Sequence, residues 1–286
     1  MRCKAKQTSA LMLHPSKILK ELGISALKHL GQNFQVDTHV VANAAAFIPA
    51  ESKVLEIGPG LGAWTEIFHA RGHTMVLVEK DRTLAKRLME LYQSDTRMTV
   101  IEADFLELDI HAEPLMSCTA AVGNLPFYVT SDLLLRIIVD SPQVTHGIFG
   151  VQLEVAERLA AAKGSSLAIA LGAQGKIKIA GRISRHSFFP APNVDAAMIS
   201  FERTAGKDRP HLRTLLKAAF WGKRKALGTA LKKNPFWETD AAAEHWTGRL
   251  AAAPFAIAAF LEKRADDLDV ADFCSLYDYL EGGEST

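Results

Sequence analysis

Four consecutive residues combine groups that could hold the amino group of a nucleobase. They follow the stretch AAVG at residues 120–123, which is typical of the end of a buried strand. The side-chain oxygen of Asn124 and the carbonyl of Leu125 can each accept a hydrogen bond from an exocyclic N–H. Pro126 fixes the backbone and donates nothing, while Phe127 offers a ring on which a base can stack. Two acceptors would localise the nitrogen lone pair, so the stretch predicts a site for group transfer to an amine.

A second set of residues predicts a nucleoside site. Gly58 and Gly60 belong to the turn GPGLG at residues 58–62, between a predicted strand and a predicted helix, where a ligand can approach the backbone closely. Glu79 ends the next strand, where its carboxylate can accept hydrogen bonds from both hydroxyls of a ribose. The turn alone fits a dinucleotide or S-adenosylmethionine. Asp104, after the third strand, could accept from an adenine amine and favours S-adenosylmethionine.

The segments that position these groups alternate between strand and helix. The predicted strands are KVLEIG, HTMVLVEKD, MTVIEAD and AAVGNLPF, and the helices between them are AWTEIFHARG and RTLAKRLMELYQ. This order predicts an α/β fold of the Rossmann-like type, with a parallel sheet covered on both faces. Ligands in such sheets lie at the carboxyl ends of the strands.

The length of 286 residues favours a larger and a smaller domain. RTAGKDRP, at residues 203–210, has the composition of a linker, and the pattern after it is helical. We therefore expect an N-terminal extension over residues 1–27, a cofactor-binding catalytic domain over 28–203 and a small all-α domain over 204–286.

The net charge of +1 conceals an uneven distribution. Residues 204–265 carry 12 Lys or Arg and 5 Asp or Glu, whereas residues 266–286 carry 7 acidic residues and no basic one. A basic region of this kind favours a polyanionic partner. The candidate phosphate contacts are Lys217, Lys223, Arg224, Lys225 and Lys232.

The composition also limits the location and the metal content. Apolar residues make up 48% of the chain, but no apolar run is long enough to span a membrane, and the start does not resemble a signal peptide. We expect a cytoplasmic protein that does not bind a membrane. Cys3, Cys118 and Cys274 lack metal-ligand spacing, so no metal site is expected.

Eight ordered segments resemble the small-subunit (16S) ribosomal RNA adenine N6,N6-dimethyltransferases across almost the whole chain. They are HLGQNF, EIGPGLGAWT, VEKD, EAD, GNLPF, VQLEVAERL, FFPAPNVDAAM and KRKALGTAL. The resemblance implies a methyltransferase that uses S-adenosylmethionine and dimethylates two adjacent unpaired adenines in a 3′-terminal hairpin loop during ribosome maturation. It also implies a monomer acting on a precursor of the small ribosomal subunit.

The resemblance adds further roles for single residues. Asn33 and the backbone of Gln35 would border the methionine end of the cofactor, and Asn124 would bridge cofactor and target. The sequence departs from the family where Phe127 replaces a tyrosine, Tyr128 an asparagine and Leu153 a lysine, and at residues 165–167. The departures at Leu153 and 165–167 remove two positive charges near the predicted substrate face.

Three alternatives remain at this point. The acceptor motif is shared with large-subunit rRNA methyltransferases of the erythromycin-resistance type, although FFPAPNVDAAM and the final helices fit the small-subunit enzymes better. A non-catalytic ribosome-assembly or transcription factor could keep the fold, but the intact candidate residues argue against it. A dehydrogenase fits the glycine turn alone.

Overall fold

The computed structural model describes residues 14–27, 30–222, 224–236 and 246–282. Its contacts divide the chain into two compact units. The first runs to Ala156 and includes Lys178–Arg203, and the second comprises Glu157–Ile177 and the residues from Thr204 onward. The boundary between the two units at residues 203 and 204 coincides with the linker expected at residues 203–210. Residues 157–177, which we expected in the catalytic domain, group with the second unit.

A seven-stranded sheet forms the centre of the fold, in the order β4-β3-β2-β5-β6-β9-β7. A two-stranded antiparallel sheet pairs β1 with β8. The strands are β1 (Phe34–Gln35), β2 (Lys53–Ile57), β3 (Thr74–Glu79), β4 (Met98–Glu102), β5 (Ala120–Asn124), β6 (His146–Gln152), β7 (Gly175–Ile183), β8 (Phe188–Phe189) and β9 (Ala196–Arg203).

The neighbours from β4 to β6 are parallel, and β9 runs antiparallel to β6. The expectation of an α/β Rossmann-like fold is confirmed for this region. The antiparallel strand β9 differs from the purely parallel sheet that the alternating pattern implied. The chain reaches β9 from β7 and β8 rather than through a crossover helix, so no βαβ unit sets its direction.

Helices accompany the strands of the first unit. They are α1 (Pro15–Glu21), α2 (His39–Ala44), α3 (Ala63–Ala70), α4 (Arg82–Tyr92) and α5 (Thr130–Leu134), the last continuing as a π-helical turn over Leu135–Val139. Leu84, Leu88 and Tyr92 of α4 recur with helical spacing and are buried. At its start Asp81 accepts hydrogen bonds from the amides of Thr83 and Leu84.

The continuous run of apolar residues in β3 is explained by the burial of this strand in the core of the first unit. Met75, Val76, Leu77 and Val78 are all buried, as expected for a parallel strand covered on both faces. Helix α1 also belongs to this unit, because Ile18 packs in a cluster that includes Phe34, Leu61 and Leu84. The described part of the predicted N-terminal extension is thus integrated into the first unit.

The second unit is helical apart from the start of β7. Its helices are α7 (Ser166–Gly172), α8 (Leu212–Trp221), α9 (Leu227–Lys232), α10 (Trp246–Ala251), α11 (Phe255–Glu262) and α12 (Val270–Leu280), while α6 (Leu153–Ala160) spans the transition between units. Residues 157–177 group here because α7 packs against α8 and α12. Arg209, in the linker, holds Asp278 of α12 through two contacts of 2.9 Å.

Candidate active site

A cleft opens at the carboxyl ends of the parallel strands, within the first unit. It is lined by residues that follow β2, β3, β4 and β5, and by the segment 30–35 before and within β1. The chain extends the sheet from β2 through β3 to β4 and then returns to place β5 on the other side of β2. The cleft therefore lies at the topological switch point, where ligands of open α/β sheets bind.

The glycine turn forms the floor of this cleft. Gly58 and Gly60 have φ angles of +63° and +58°, which side-chain-bearing residues rarely adopt. A Cβ built on Gly58 would meet no atom within 4 Å, so open space lies above its backbone. A Cβ on Gly60 would lie 3.2 Å from the ring of Phe34. The segment at β1 thus packs closely onto the turn.

Glu79 is held at the end of β3 by two backbone amides. Its Oε2 accepts from Gly60 N–H at 2.9 Å, and its Oε1 accepts from Asp81 N–H at 2.8 Å. Burial raises the pKa of Glu79, and the backbone donors from Asp81 and Gly60 oppose that rise. Each oxygen has capacity for a further donor, as two ribose hydroxyls would require.

Asp104 follows β4 and forms an ion pair that sequence reasoning missed. Its Oδ2 lies 2.6 Å from Lys80 Nζ, and its Oδ1 accepts from Leu106 N–H at 3.0 Å. Burial alone would raise the pKa of Asp104, but Lys80 and the Leu106 amide outweigh it, and the pKa is lowered. Asp104 is therefore a carboxylate at neutral pH and accepts hydrogen bonds only.

Asn124 ends β5 and lines the cleft. Its Nδ2 donates to the carbonyl of Asn33 at 3.1 Å. Its Oδ1 is buried and has no hydrogen-bond partner in the described part of the chain. The oxygen lies against β6, because a Cβ built on Gly150 would approach it to 2.6 Å. An unsatisfied buried acceptor is costly, so this oxygen is a strong candidate for a role in binding.

The three residues after Asn124 have different surroundings. The Leu125 side chain is buried, and its N–H donates to Gly150 O at 3.0 Å. Pro126 lines the cleft. Phe127 is partly buried and packs against the core of the first unit. Among the described residues that line the cleft, Tyr128 supplies the aromatic ring from this loop, and its side chain is 59% exposed.

Asn33 and Gln35 both line the cleft. The side chain of Gln35 accepts from Trp64 Nε1 at 2.8 Å and donates to Asp37 O at 2.7 Å. The bond from Trp64 anchors β1 to α3. Asn33 is fixed by its side-chain bond to Gly31 O and by the bond from Asn124.

Glu56, within β2, is a lining residue that sequence reasoning did not select. Its carboxyl is fully buried, and burial raises its pKa to about 8. The hydroxyl of Thr65 donates to it at 2.7 Å. A charged residue in the middle of an apolar strand was the available signal. No comparable signal marked Lys80, whose partner is 24 positions away.

The predicted phosphate contacts belong to the second unit. Lys217, Arg224, Lys225 and Lys232 are exposed, and Lys223 lies outside the described residues. None of them lines the cleft of the first unit.

Other features limit the chemistry of the described ranges. No group of three or more His, Cys, Asp or Glu side chains there could hold a metal ion. None of the helices described is long and apolar enough to cross a membrane. Cys118 and Cys274 are free thiols, and burial raises the pKa of Cys118 to about 12. Cys118 is consequently not a thiolate nucleophile.

Comparison with known proteins agrees with this geometry. The family model of ribosomal RNA adenine dimethylase matches residues 24–252. Ribosomal RNA small subunit methyltransferase A of Leifsonia xyli is 34% identical, covering 93% of this chain and 97% of its own. The same-named protein of Ligilactobacillus salivarius is 32% identical, with coverages of 92% and 93%.

Two solved structures share the fold. A dimethyladenosine transferase from Plasmodium falciparum superposes with a TM-score of 0.70 at 22% identity, covering 89% of this chain and all of its own. The 23S rRNA methyltransferase ErmE gives a TM-score of 0.63 at 23% identity, covering 87% of this chain and all of its own.

The switch-point cleft, its glycine floor and its two strand-end carboxylates are features of a Rossmann-like nucleoside-binding fold. Together with the family match they identify a methyltransferase with S-adenosylmethionine as cofactor. The family within that class is shown by the extent of the family-model match and by the sequence identity of the curated relatives. The chain belongs to the ribosomal RNA adenine dimethylase family.

Proposed function

We propose that this protein transfers methyl groups from S-adenosylmethionine to the N6 amino groups of two adjacent unpaired adenines in small-subunit ribosomal RNA. Family membership and the names of the curated relatives support the substrate class. The proposal depends most on Asn124, which is the last residue of β5 and lines the cleft. Its side-chain oxygen has no hydrogen-bond partner among the described residues.

The residues of the cleft fit the proposed cofactor. The open space above Gly58 admits a ligand against the backbone, and Glu79 can accept from two ribose hydroxyls. Asp104 can accept from the adenine amine, since an ionised carboxylate has lone pairs beyond those used by Lys80 and Leu106. Asn33 and the Gln35 backbone would border the methionine end. When bound, the cofactor supplies an electrophilic methyl group on a sulfonium sulfur.

Asn124 and Leu125 would prepare the target nitrogen. The adenine amine is a weak nucleophile because its lone pair is delocalised into the ring. Acceptance of its two N–H bonds by the Asn124 oxygen and the Leu125 carbonyl would direct that lone pair toward the methyl group. Positioning of this kind is the main contribution, because transfer from a sulfonium needs little general-base catalysis and the proton can leave to water afterward.

The structure requires one adjustment for this step. Nδ2 of Asn124 now faces Asn33 O, while Oδ1 faces Gly150. Rotation of the carboxamide about its Cβ–Cγ bond would exchange the two atoms and bring Oδ1 to the side of Asn33, which lines the cleft. The rotation loses the bond to Asn33 O and sets two acceptor oxygens side by side, so we expect it only when a donor such as the N–H of the target amine binds Oδ1.

An adenine inside a duplex could not reach this cleft, so the target must be unpaired or flipped out. The exposed cations of the second unit, Lys217, Arg224, Lys225 and Lys232, are proposed to contact phosphates outside the cleft, together with Lys223. We further propose that the protein acts as a monomer, in the cytoplasm, on a precursor of the small subunit.

The test is mass mapping of methylated adenines after incubation with isotopically labelled cofactor. Unmodified small subunits and unmodified large subunits are supplied in separate reactions. We expect two neighbouring adenines of the small-subunit RNA to carry two labelled methyl groups each. Label confined to large-subunit RNA would assign the erythromycin-resistance type of activity instead. No label in either reaction, with cofactor binding retained, would favour a non-catalytic role.

A further inference from the structure

Helix α8 in the second unit is amphipathic, with a cationic and aromatic outer face. Leu212, Leu215 and Leu216 are buried on its inner face. Lys217 and Trp221 are exposed and four positions apart, so they are neighbours on the outer face. Trp221 therefore presents a large aromatic surface to solvent one helical turn from a cation.

Trp221 is held in place although it is exposed. Its ring lies 5.6 Å from the ring of Phe236, centroid to centroid, at an interplanar angle of 85°. This edge-to-face contact fixes the ring, while 59% of the residue remains accessible. A ring that is already ordered loses little conformational entropy when a ligand stacks on it.

Positive charge is concentrated in the segment of the chain that contains this aromatic pair. Residues 209–237 contain eight Lys or Arg and no Asp or Glu. Lys225 returns toward the end of α8, because its Cδ would lie 3.4 Å from a Cβ built on Gly222. Lys232 and Lys233 are exposed and precede Phe236 by only a few residues. Trp221 thus has cations on both sides in the sequence: Lys217 one helical turn before it, and Lys225 after the end of the helix.

We propose that Trp221, with Phe236 behind it, is a stacking site for an unpaired RNA base whose phosphates are bound by the adjacent lysines and arginines. This inference rests on the proposed action on RNA and adds a contact point for RNA in the second unit. Cationic grooves with interleaved aromatic rings are the usual solution for single-stranded nucleic acid, and each stacked base contributes about 1–3 kcal/mol. Such stacking tolerates any base, so this site would contribute affinity rather than sequence choice.

A second exposed aromatic residue of the same unit provides the matched control. Phe255, at the start of α11, is 91% exposed, but residues 250–261 contain no charged side chain. Loss of this ring removes an exposed aromatic surface from a segment that carries no cation within residues 250–261. The comparison separates base stacking beside phosphates from general surface hydrophobicity.

The experiment measures binding of the full chain to a labelled 12-nucleotide oligouridylate, which avoids recognition of adenine in the cleft. A second probe is an abasic ribose-phosphate oligomer of the same length. We expect Trp221→Ala to weaken oligouridylate binding by about 5- to 150-fold, the equivalent of one stacked base. Its binding to the abasic oligomer should match that of the wild type. Trp221→Phe should keep most of the affinity, and Phe255→Ala should keep all of it.

Three results would overturn the inference: equal oligouridylate affinity of Trp221→Ala and wild type, an equal loss on the abasic oligomer, or a comparable loss in Phe255→Ala. A larger effect of Trp221→Ala on anionic phospholipid vesicles than on RNA would also overturn it and assign a membrane surface instead. Thermal unfolding of each variant checks that the fold is kept. Methylation of small subunits by the wild type, assayed in parallel, tests the proposed function separately, because stacking does not depend on methyl transfer.

Discussion

The side-chain amide of Asn124 donates a hydrogen bond to the backbone carbonyl of Asn33 over 3.1 Å, although the two residues are 91 positions apart. This bond joins the tip of β5 to the segment that leads into β1. The same segment packs Phe34 onto Gly60 of the glycine turn. The segment before β1 therefore contacts both Asn124, the proposed amine acceptor, and the glycine turn that forms the floor of the cleft. A substitution at one of these positions should alter the geometry of the others.

Asn124→Ala should reduce methyl transfer by at least about 10²-fold while cofactor binding remains measurable. The lost oxygen acts mainly in the transition state, where removal of one aligned hydrogen-bonding group has effects of this size. Single-turnover methylation of unmodified small subunits gives the rate, and calorimetry with S-adenosylmethionine gives the affinity. Turnover equal to that of the wild type would remove Asn124 from the mechanism.

Gly150→Ala should impair transfer through Asn124 without touching the cleft directly. The new Cβ would lie 2.6 Å from Oδ1 and 3.4 Å from Cα of Asn124, so the carboxamide must move. We expect a rate loss of at least tenfold and a modest stability loss of about 1–3 kcal/mol, as for other overpacked sites. Gly248→Ala is the control, because a Cβ there meets no atom within 4 Å. The Cβ would meet whichever carboxamide atom faces β6, Oδ1 before the proposed rotation or Nδ2 after it, so an unchanged rate in Gly150→Ala would show that this packing does not position Asn124 for transfer.

Substitutions can distinguish the roles of Phe127 and Tyr128, the two aromatic residues that follow the proposed acceptor. Phe127→Ala should weaken engagement of the target, and Phe127→Tyr should be tolerated, if Phe127 stacks on the adenine. Since Phe127 also packs against the core, Phe127→Leu is needed to keep apolar volume while the ring is removed. Tyr128→Ala tests the neighbouring ring, which lines the cleft. The Michaelis constant for RNA is the measurement that distinguishes the two rings. If it rises in Tyr128→Ala but not in Phe127→Leu, Tyr128 rather than Phe127 stacks on the adenine.

Glu56 should make the protein less stable as the pH rises. Burial raises the pKa of its carboxyl from 4.5 to about 8, so the folded state retains a proton that the unfolded state releases. The free energy of unfolding should therefore fall between about pH 4.5 and 8, by an amount on the order of 5 kcal/mol at most.

Glu56→Gln should remove this loss, since the amide stays neutral and can still accept from Thr65. We expect urea denaturation to show the variant more stable than the wild type at pH 8, with the difference shrinking toward pH 4.5. Glu90→Gln, on the exposed side of α4, should behave like the wild type throughout. A variant that is less stable at pH 8 would mean that Glu56 is ionised there.

RNA binding should weaken steeply with salt, because neutralised phosphates release counterions. Each lost phosphate contact lowers the slope of log K against log salt concentration by about 0.7 for single strands. Lys217→Gln should show this decrease, whereas Lys86→Gln, exposed on α4 of the first unit, should keep the wild-type slope. Binding that does not change between low and moderate salt would contradict a phosphate-contact role.

Much of the first unit could be predicted from local pattern. The apolar runs of β2 and β3 and the helical spacing of α4 each reflect a burial requirement that is visible in the sequence. Strand β7 was not predicted, because its outward residues include lysines and an arginine, and little of it is buried. The grouping of residues 157–177 with the second unit was also missed, because it depends on packing of α7 against helices that come much later in the chain.

The sequence by itself determined the alternation of strands and helices, the family, and the identity of Gly58, Glu79, Asp104 and Asn124 as the groups that follow or end the strands, because apolar periodicity and residue type are encoded locally. Only the tertiary structure decided which way these groups face and what they contact. It placed Lys80 on Asp104, Asn33 on Asn124 and Phe127 against the core. Such pairings join distant positions, and their geometry depends on how the whole sheet and its loops pack rather than on any local pattern.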